Sequence, residues 1–290
     1  MRLLVTGCNG QLGWELARAL APLGEITATN RATLDLSRPE TIAPAIRTLK
    51  PNVILNAAAY TAVDQAESEP VLAAAINTTA PAILAEEAKR CGALLVHYTT
   101  DYVFDGTKAS PYTEEDATNP LSVYGQTKLD GERAIQASGC EHLILRTSWV
   151  YGPRGRNFLL TMLRLAHDKP VLRVVDDQIG APTAVQTLAE ATALILQRRQ
   201  PGQSGLFHLT ASGHTSWHSF AKLIVSLAGP PYPEVEAIPT SAYPTAAKRP
   251  LNSRLDCTKV AATFGLQLPD WERVVRDVTA QVLATATGRP

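Results

Sequence analysis

The chain has no surplus of either charge sign: 27 Lys and Arg stand against 27 Asp and Glu, so its 290 residues carry a formal net charge of zero. Proteins that wrap nucleic acid draw affinity from neutralising phosphates and need a basic excess, so that partner is not expected; a local basic patch for one phosphorylated ligand stays open. Charged residues are scarce at 19%, while the hydrophobic share of 45% is ordinary for a folded chain and argues against disorder. Long apolar runs are missing, and none approaches the roughly 18 residues of a membrane span. The first apolar stretch, Leu3-Leu4-Val5, reaches Gly7 too soon to form a signal-peptide core. The four cysteines (Cys8, Cys91, Cys140, Cys257) are scattered with no C-x-x-C pair. Disulfides and zinc are therefore not expected, and a reducing, cytoplasmic compartment is.

What is present is alternation. Leu3 to Thr6, Glu25 to Thr29, Val53 to Ala57, Ala93 to Tyr98 and Leu143 to Thr147 read as short strands. Between them lie helical patterns: Leu12, Leu16, Ala19 and Leu20; then Ile42, Ala45, Ile46 and Leu49 behind the capping-box form Ser37-x-x-Glu40, with Pro44 as a weak point; then 68–90 and 121–137. Continuous apolar strands at βαβ spacing predict a parallel sheet covered by helices on both faces, an α/β Rossmann-like doubly wound fold. After Trp149, Pro and Gly become frequent and the alternation loosens, with helices expected at 183–198 and 216–228, a strand at 205–209 and loop over 229–256. The expected organisation is a doubly wound domain over 1–150, to which 183–210 returns, and a smaller lobe from 151–182 and 211–290.

Gly7-x-x-Gly10-x-x-Gly13 sits between the first strand and the first helix. One glycine permits the tight turn, one lets backbone approach a pyrophosphate, and one lets helix and strand pack closely. The diphosphate then meets the free amides and positive dipole end of the helix. About 20 residues beyond Gly10, an NAD-preferring site usually places an acid on the ribose 2′-hydroxyl. This chain has Asn30-Arg31 there, and an arginine would attract a 2′-phosphate, so NADPH is the expected cofactor with NADH as the alternative. Asp35 follows close by and tempers that preference; a solvated surface charge is the plain alternative for Arg31.

Tyr124 and Lys128 form Y-x-x-x-K on one helical face. A tyrosine is a poor acid–base group near neutrality, and a neighbouring ammonium lowers its pKa. Such a pair can exchange a proton with a carbinol oxygen, though Tyr and Lys four apart also occur by chance on exposed helices. Thr99-Thr100-Asp101 follows the fourth strand, where ligand sites form in parallel sheets.

Together the glycine turn, Thr100 and Tyr124-x-x-x-Lys128 resemble the extended short-chain dehydrogenase/reductase superfamily. The segments Asn56 to Asp64, His97 to Gly106, Arg146 to Tyr151 and Arg249 to Leu255 look closer still to its dTDP-4-dehydrorhamnose reductase family, and the resemblance runs from residue 1 to about 275. It implies NAD(P)H-dependent reduction of the 4-keto group of dTDP-4-dehydro-β-L-rhamnose. By carry-over Tyr124 donates the proton, Lys128 holds the nicotinamide ribose and lowers the Tyr124 pKa, and Thr100 touches the substrate with Asp101 beside it. Gly10, Gln11 and Leu12 would line the pyrophosphate, Asn30, Asp35 and Leu36 the adenosine, and Ala59, Tyr60, Thr61 and Tyr98 the rest of the cofactor. Trp149 would pack on the sugar. Arg249 and Arg254 are candidates to clasp the diphosphate in fork geometry, with a surface ion pair as the alternative for Arg254. Some family members hold Mg2+ between subunits with glutamates. Glu15 and Glu190 match two such positions, but Gln281 stands at the third, and a lost carboxylate weakens a hard-cation site. A metal-bridged dimer is therefore not expected, and the expected state is a monomer or weak homodimer.

Trp217 and Trp271 fit helix faces and are expected as packing anchors, and the sequon at Asn77 is set aside. Two rivals remain. A sister sugar-nucleotide reductase or epimerase of the superfamily is one; a dehydratase is disfavoured because Tyr102, not an acid, follows Thr100-Asp101. The other is a catalytically silent regulatory subunit, against which the intact Thr100, Tyr124 and Lys128 speak.

Overall fold

A computed structural model describes residues 1–230 and 232–286 of the chain. The end of the expected second lobe, 287–290, lies outside the described residues. Six strands form one parallel sheet: β1 (Arg2–Thr6), β2 (Glu25–Thr29), β3 (Val53–Asn56), β4 (Leu94–Thr100), β5 (His142–Thr147) and, after β6 (Val171–Val175) of the second lobe, β7 (Gly205–His208). Their order is β7-β5-β4-β3-β1-β2. The direction of winding reverses between β1 and β3, and ligands of such sheets bind beyond the carboxyl ends at that point.

Strand periodicity decides both faces. Leu3 and Val5, with Val53, Leu55, Leu143 and Leu145, pack under α1 (Gln11–Ala19) and, later in the chain, the helix Val185–Arg198. Leu4, Ile54, Leu95 and Ile144 point the other way, onto α2 (Pro39–Leu49), α3 (Ala80–Cys91) and α4 (Val123–Ser138). All of these strand residues are buried. Removing one such leucine or isoleucine from water contributes about 1.5–3 kcal/mol, so neither face could be left uncovered.

Two local expectations fail. The capping box does not form: α2 starts at Pro39 with Arg38 at the cap position, the Ser37 hydroxyl donates to Asp35 instead at 2.7 Å, and Glu40 pairs with Arg38. The stretch 68–90 is not one regular helix either. It passes through a π-helical segment, Ala75–Thr79, before α3. Pro44 lies inside α2, which persists because Ile42 and Ile46 are fully buried.

The chain after Trp149 is more regular than its sequence suggests. It carries the helices α5 (Phe158–Asp168), α6 (Val185–Arg198), α7 (Trp217–Ala228), α8 (Thr258–Phe264) and α9 (Trp271–Ala286). β8 (Glu234–Ile238), within the stretch expected as loop, pairs in parallel with β6. β6 is a short run broken by Arg173 and β8 is largely exposed, with Glu234 and Glu236 in it, so neither stands out as a buried strand. α5, α7 and α9 enclose a second core of Tyr151, Leu159, Phe220, Ile224, Trp271 and Val275. α6 and β7 return to the main sheet, and so do Val260, Phe264, Leu266 and Leu268 from the segment after residue 256. Among the described residues no helix is long and apolar enough to cross a membrane.

Candidate active site

The glycine turn opens the cleft at the switch between β1 and β3. Gly7 has φ +70°, and a Cβ on it would meet Ala58 at 3.0 Å. A Cβ on Gly13 would lie 2.2 Å from the Gly7 carbonyl oxygen, so this glycine sets the closeness of α1 to the turn. Gly10 caps α1 without a side chain, and the first helical turn holds no acid. The amides there are free to face an anion. A cradle that a methyl group would fill, ahead of an uncapped helix, fits a dinucleotide diphosphate. Gln11 is fixed at the same place, accepting from Asn157 Nδ2 at 2.7 Å and donating to the Arg156 carbonyl at 3.3 Å.

From this turn extends a cleft of about 940 Å³, in the upper range of small-molecule sites. Along it the structure brings together Gly7, Gly10, Gln11, Leu12, Asn30, Arg31, Asp35, Leu36, Ala59, Tyr60, Thr61 and Tyr98 of the expected cofactor residues, with Thr100, Asp101, Tyr124, Lys128 and Trp149. Gly13 lies behind the wall, against Gly7. At the far end, the Asp35 carboxylate accepts from the Ser37 amide and hydroxyl, which holds its pKa below the usual range. Arg31 pairs with Asp35 at 3.4 Å yet is 80% exposed, so its guanidinium remains available to a phosphate.

At the chemical end, Ser122 caps α4 by accepting from the Gly125 amide, and this fixes the turn that carries Tyr124. Lys128 is 2% exposed. Its Nζ donates to the Tyr98 carbonyl at 2.6 Å and lies 3.3 Å from His97 Nε2. Burial lowers the Lys128 pKa to about 8, against an opposing pull from Glu132 one turn on. Glu132 is itself clasped by the buried Arg146 at 2.7 Å. Tyr124 departs from expectation. Burial raises its pKa to about 12, and the Thr100 hydroxyl only partly opposes that. The phenol therefore stays protonated near neutrality, the form an acid must have. The Thr100 hydroxyl donates to Asp101 Oδ1 at 3.0 Å, and burial lifts the Asp101 carboxyl to about 7.

The opposite wall corrects three expectations. Arg249 does not line the cleft: its guanidinium grips Asp64 at 2.7 and 3.2 Å. Arg254 is outside as well, held by Asn252 Oδ1 at 2.8 Å and by the Ala109 carbonyl. Arg249 is thus engaged by a carboxylate, and Arg254 has Nε and Nη2 engaged by carbonyl oxygens, in this arrangement. Trp217 is not merely a packing anchor. It lines the cleft, stacked on Trp149 with ring centroids 3.6 Å apart and planes 7° from parallel. Trp149 itself has φ +45°, a strained value for a bulky residue, of the kind that clusters at functional sites. Trp271 is a packing anchor, edge-on to Phe220.

Sequence reasoning also missed other parts. Asn77 is fully buried in the π-helical segment and exchanges hydrogen bonds with the Tyr60 backbone, which holds that cleft loop in place. Arg156 supplies a cation to the lining beside Gln11. Glu15 pairs with Arg18, and among the described residues no group of three or more His, Cys, Asp or Glu is placed to hold a metal.

The comparisons with known proteins agree with one another. The family model "RmlD substrate binding domain" matches residues 1–284. A dTDP-4-dehydrorhamnose reductase of Burkholderia thailandensis is 48% identical over 298 residues, covering 97% of this chain and all of that protein. A crystal structure of a dTDP-4-dehydrorhamnose reductase from Clostridium acetobutylicum superposes with a TM-score of 0.93 at 37% identity, covering 98% of this chain and 100% of that one. The Bacillus anthracis reductase, solved in complex with NADP, gives a TM-score of 0.91 at 34% identity, with 97% and 99% covered.

Proposed function

Because the chain belongs to the family of the RmlD substrate binding domain, we propose that it reduces the 4-keto group of dTDP-4-dehydro-β-L-rhamnose to give dTDP-L-rhamnose. NADPH is the cofactor, with NADH the weaker alternative. The observation that carries this reading is the meeting of Thr100, Tyr124 and Lys128 in the same cleft as the glycine turn.

The bound reduced nicotinamide supplies the hydride. The chain's own residues do the rest. Gly7, Gly10, Gln11, Leu12 and Gly13 shape the diphosphate seat, and Asn30, Arg31, Asp35 and Leu36 flank the adenosine, where Arg31 favours a 2′-phosphate. Ala59, Tyr60, Thr61 and Tyr98 border the ribose and nicotinamide, and Lys128 holds the ribose hydroxyls. Hydride addition places negative charge on the C4 oxygen of the sugar. Tyr124 passes its phenolic proton to that oxygen, a step of the kind that supplies about 10² to 10⁴ in rate. Thr100 and Asp101 orient the carbonyl. The second lobe seats the sugar nucleotide, with Trp149 and Trp217 as its aromatic wall. The protein is taken to act in the cytoplasm as a monomer or weak homodimer, without membrane or nucleic acid.

The test follows loss of reduced-nicotinamide absorbance with purified protein and freshly generated dTDP-4-dehydro-β-L-rhamnose, with NADPH and NADH in parallel. Sugar-dependent oxidation, faster with NADPH, is the expected result. Tight cofactor binding without any oxidation would overturn the assigned substrate.

A further inference from the structure

Three strands of the main sheet each end an apolar triplet with a polar residue: Leu3-Leu4-Val5-Thr6, Val53-Ile54-Leu55-Asn56 and Leu94-Leu95-Val96-His97. The sheet register sets these residues side by side, Thr6 opposite Asn56 and Asn56 opposite His97. Thr6 and Asn56 are 1% exposed and His97 is fully buried. They lie in a continuous hydrogen-bonded row. The Ala58 amide donates to Thr6 Oγ1 at 3.3 Å, and Thr6 Oγ1 donates to Asn56 Oδ1 at 2.7 Å. Asn56 Nδ2 is 3.0 Å from His97 Nδ1, and His97 Nε2 is 3.3 Å from Lys128 Nζ.

The row has a direction. A backbone amide can only donate, so Thr6 Oγ1 accepts from Ala58 and passes its own proton to Asn56 Oδ1. With the Asn56 amide reversed, the Thr6 hydroxyl would accept twice and its proton would have no acceptor in the row. Asn56 Nδ2 therefore donates to His97 Nδ1. A neutral imidazole that accepts at Nδ1 carries its proton on Nε2, the nitrogen facing Lys128. The ring is held neutral, because burial pushes its pKa well down.

Resting on the reductase reading above, we propose that His97 is a positioning residue for Lys128: backed by Asn56 and Thr6, it presents Nε2–H to Nζ, fixes the amine against the Tyr98 carbonyl and favours its uncharged form. A buried polar row of this kind is costly unless every member is satisfied, and here each member is matched to the next. The groups facing Lys128 are few. His97 comes from β4, Glu132 from its own helix and neutralised by Arg146 of β5, and Tyr124 lies one turn back. A donor bond to Nζ lowers the affinity of Lys128 for a proton.

Two substitutions separate the ends of the ring. His97→Gln keeps a polar atom where Nε2 stood and gives up the link to Asn56. His97→Asn keeps the Asn56 link and vacates the place beside Nζ, which water can enter. Losing the donor and admitting water both raise the Lys128 pKa. Each variant is compared with wild type for kcat, KM, NADPH dissociation constant, thermal midpoint and the pH profile of kcat/KM. The expected result is a kcat about tenfold lower in His97→Asn, with the alkaline limb of the profile moved up by about half a unit or more and with His97→Gln closer to wild type. Imidazole 15N shifts of the cofactor-free protein, assigned against His97→Asn, are expected to show the neutral Nε2–H tautomer. An Nδ1–H tautomer, or equal losses in both variants with an unmoved alkaline limb, would overturn the proposal and leave His97 as packing alone. Wild-type turnover in the same assays keeps that outcome separate from a failure of the reductase reading.

Discussion

The two walls of the cleft are built on different terms. The wall at the carboxyl ends of β1, β3 and β4 is made of backbone turns and short polar side chains whose positions follow from strand register and helix caps. The facing wall is made by residues far apart in the chain, Trp149 stacked on Trp217, with Asp64 holding Arg249 outside the cleft. The first wall supplies fixed dipoles and a proton at a defined place. The second supplies area and shape, and its parts hold one another. The first wall thus rests on local motifs, whereas the second rests on long-range contacts.

This contrast orders the expected effects of substitution. Tyr124→Phe attacks the first wall alone, so kcat should fall by about 10² to 10⁴ while the NADPH dissociation constant hardly moves. Near-normal turnover in that variant would remove Tyr124 from its role. Asp101 is the next largest case. Its folded pKa, about 7, lies above the ordinary value of 3.8. The folded state then binds the extra proton, and the associated stability is present below about pH 4 and lost as pH rises to about 7, up to ~4 kcal/mol. Asp101→Asn should therefore flatten the denaturant midpoint between pH 5 and pH 8 relative to wild type, and parallel curves for the two proteins would refute the assignment. On the second wall, Trp217→Ala should raise the KM for the sugar nucleotide by about tenfold with NADPH binding unchanged, because a partly exposed stacked ring is lost. Equal loss of affinity for both ligands would show that the walls are not separable. The smallest effect is expected at Arg31: exposed and already shared with Asp35, its change to Ala should shift the NADPH to NADH ratio of kcat/KM by about threefold to tenfold, read in parallel progress curves.

The first wall was largely legible in the sequence. Glycine spacing, the Tyr124–Lys128 interval and the continuous apolar strands all act within a few residues, so the doubly wound sheet and most of the cleft lining could be placed. The second was not. Nothing near Trp217 indicates that a ring from α7 meets Trp149, and nothing near Arg249 indicates that Asp64 already occupies its fork. β6 and β8 escaped because each is short and carries charged residues, Arg173 in one and Glu234 and Glu236 in the other. The raised pKa of Tyr124 escaped for a related reason: helical spacing places Lys128 one turn away, but the burial that lifts the phenol shows only in the packed structure. The polar row was readable in principle, since Thr6, Asn56 and His97 each follow three apolar strand residues. Aligning the strands by those triplets would have put the three on one level.

The interleaved chain path has a mechanical consequence. Since α6 with β7, and then the segment around α8, return from the second lobe to the main sheet, several covalent crossings, not one hinge strand, join the lobes. The residues that cover the main sheet therefore cannot be cut out of the gene as one contiguous piece. The width of the cleft is in this sense stitched into the order of the chain.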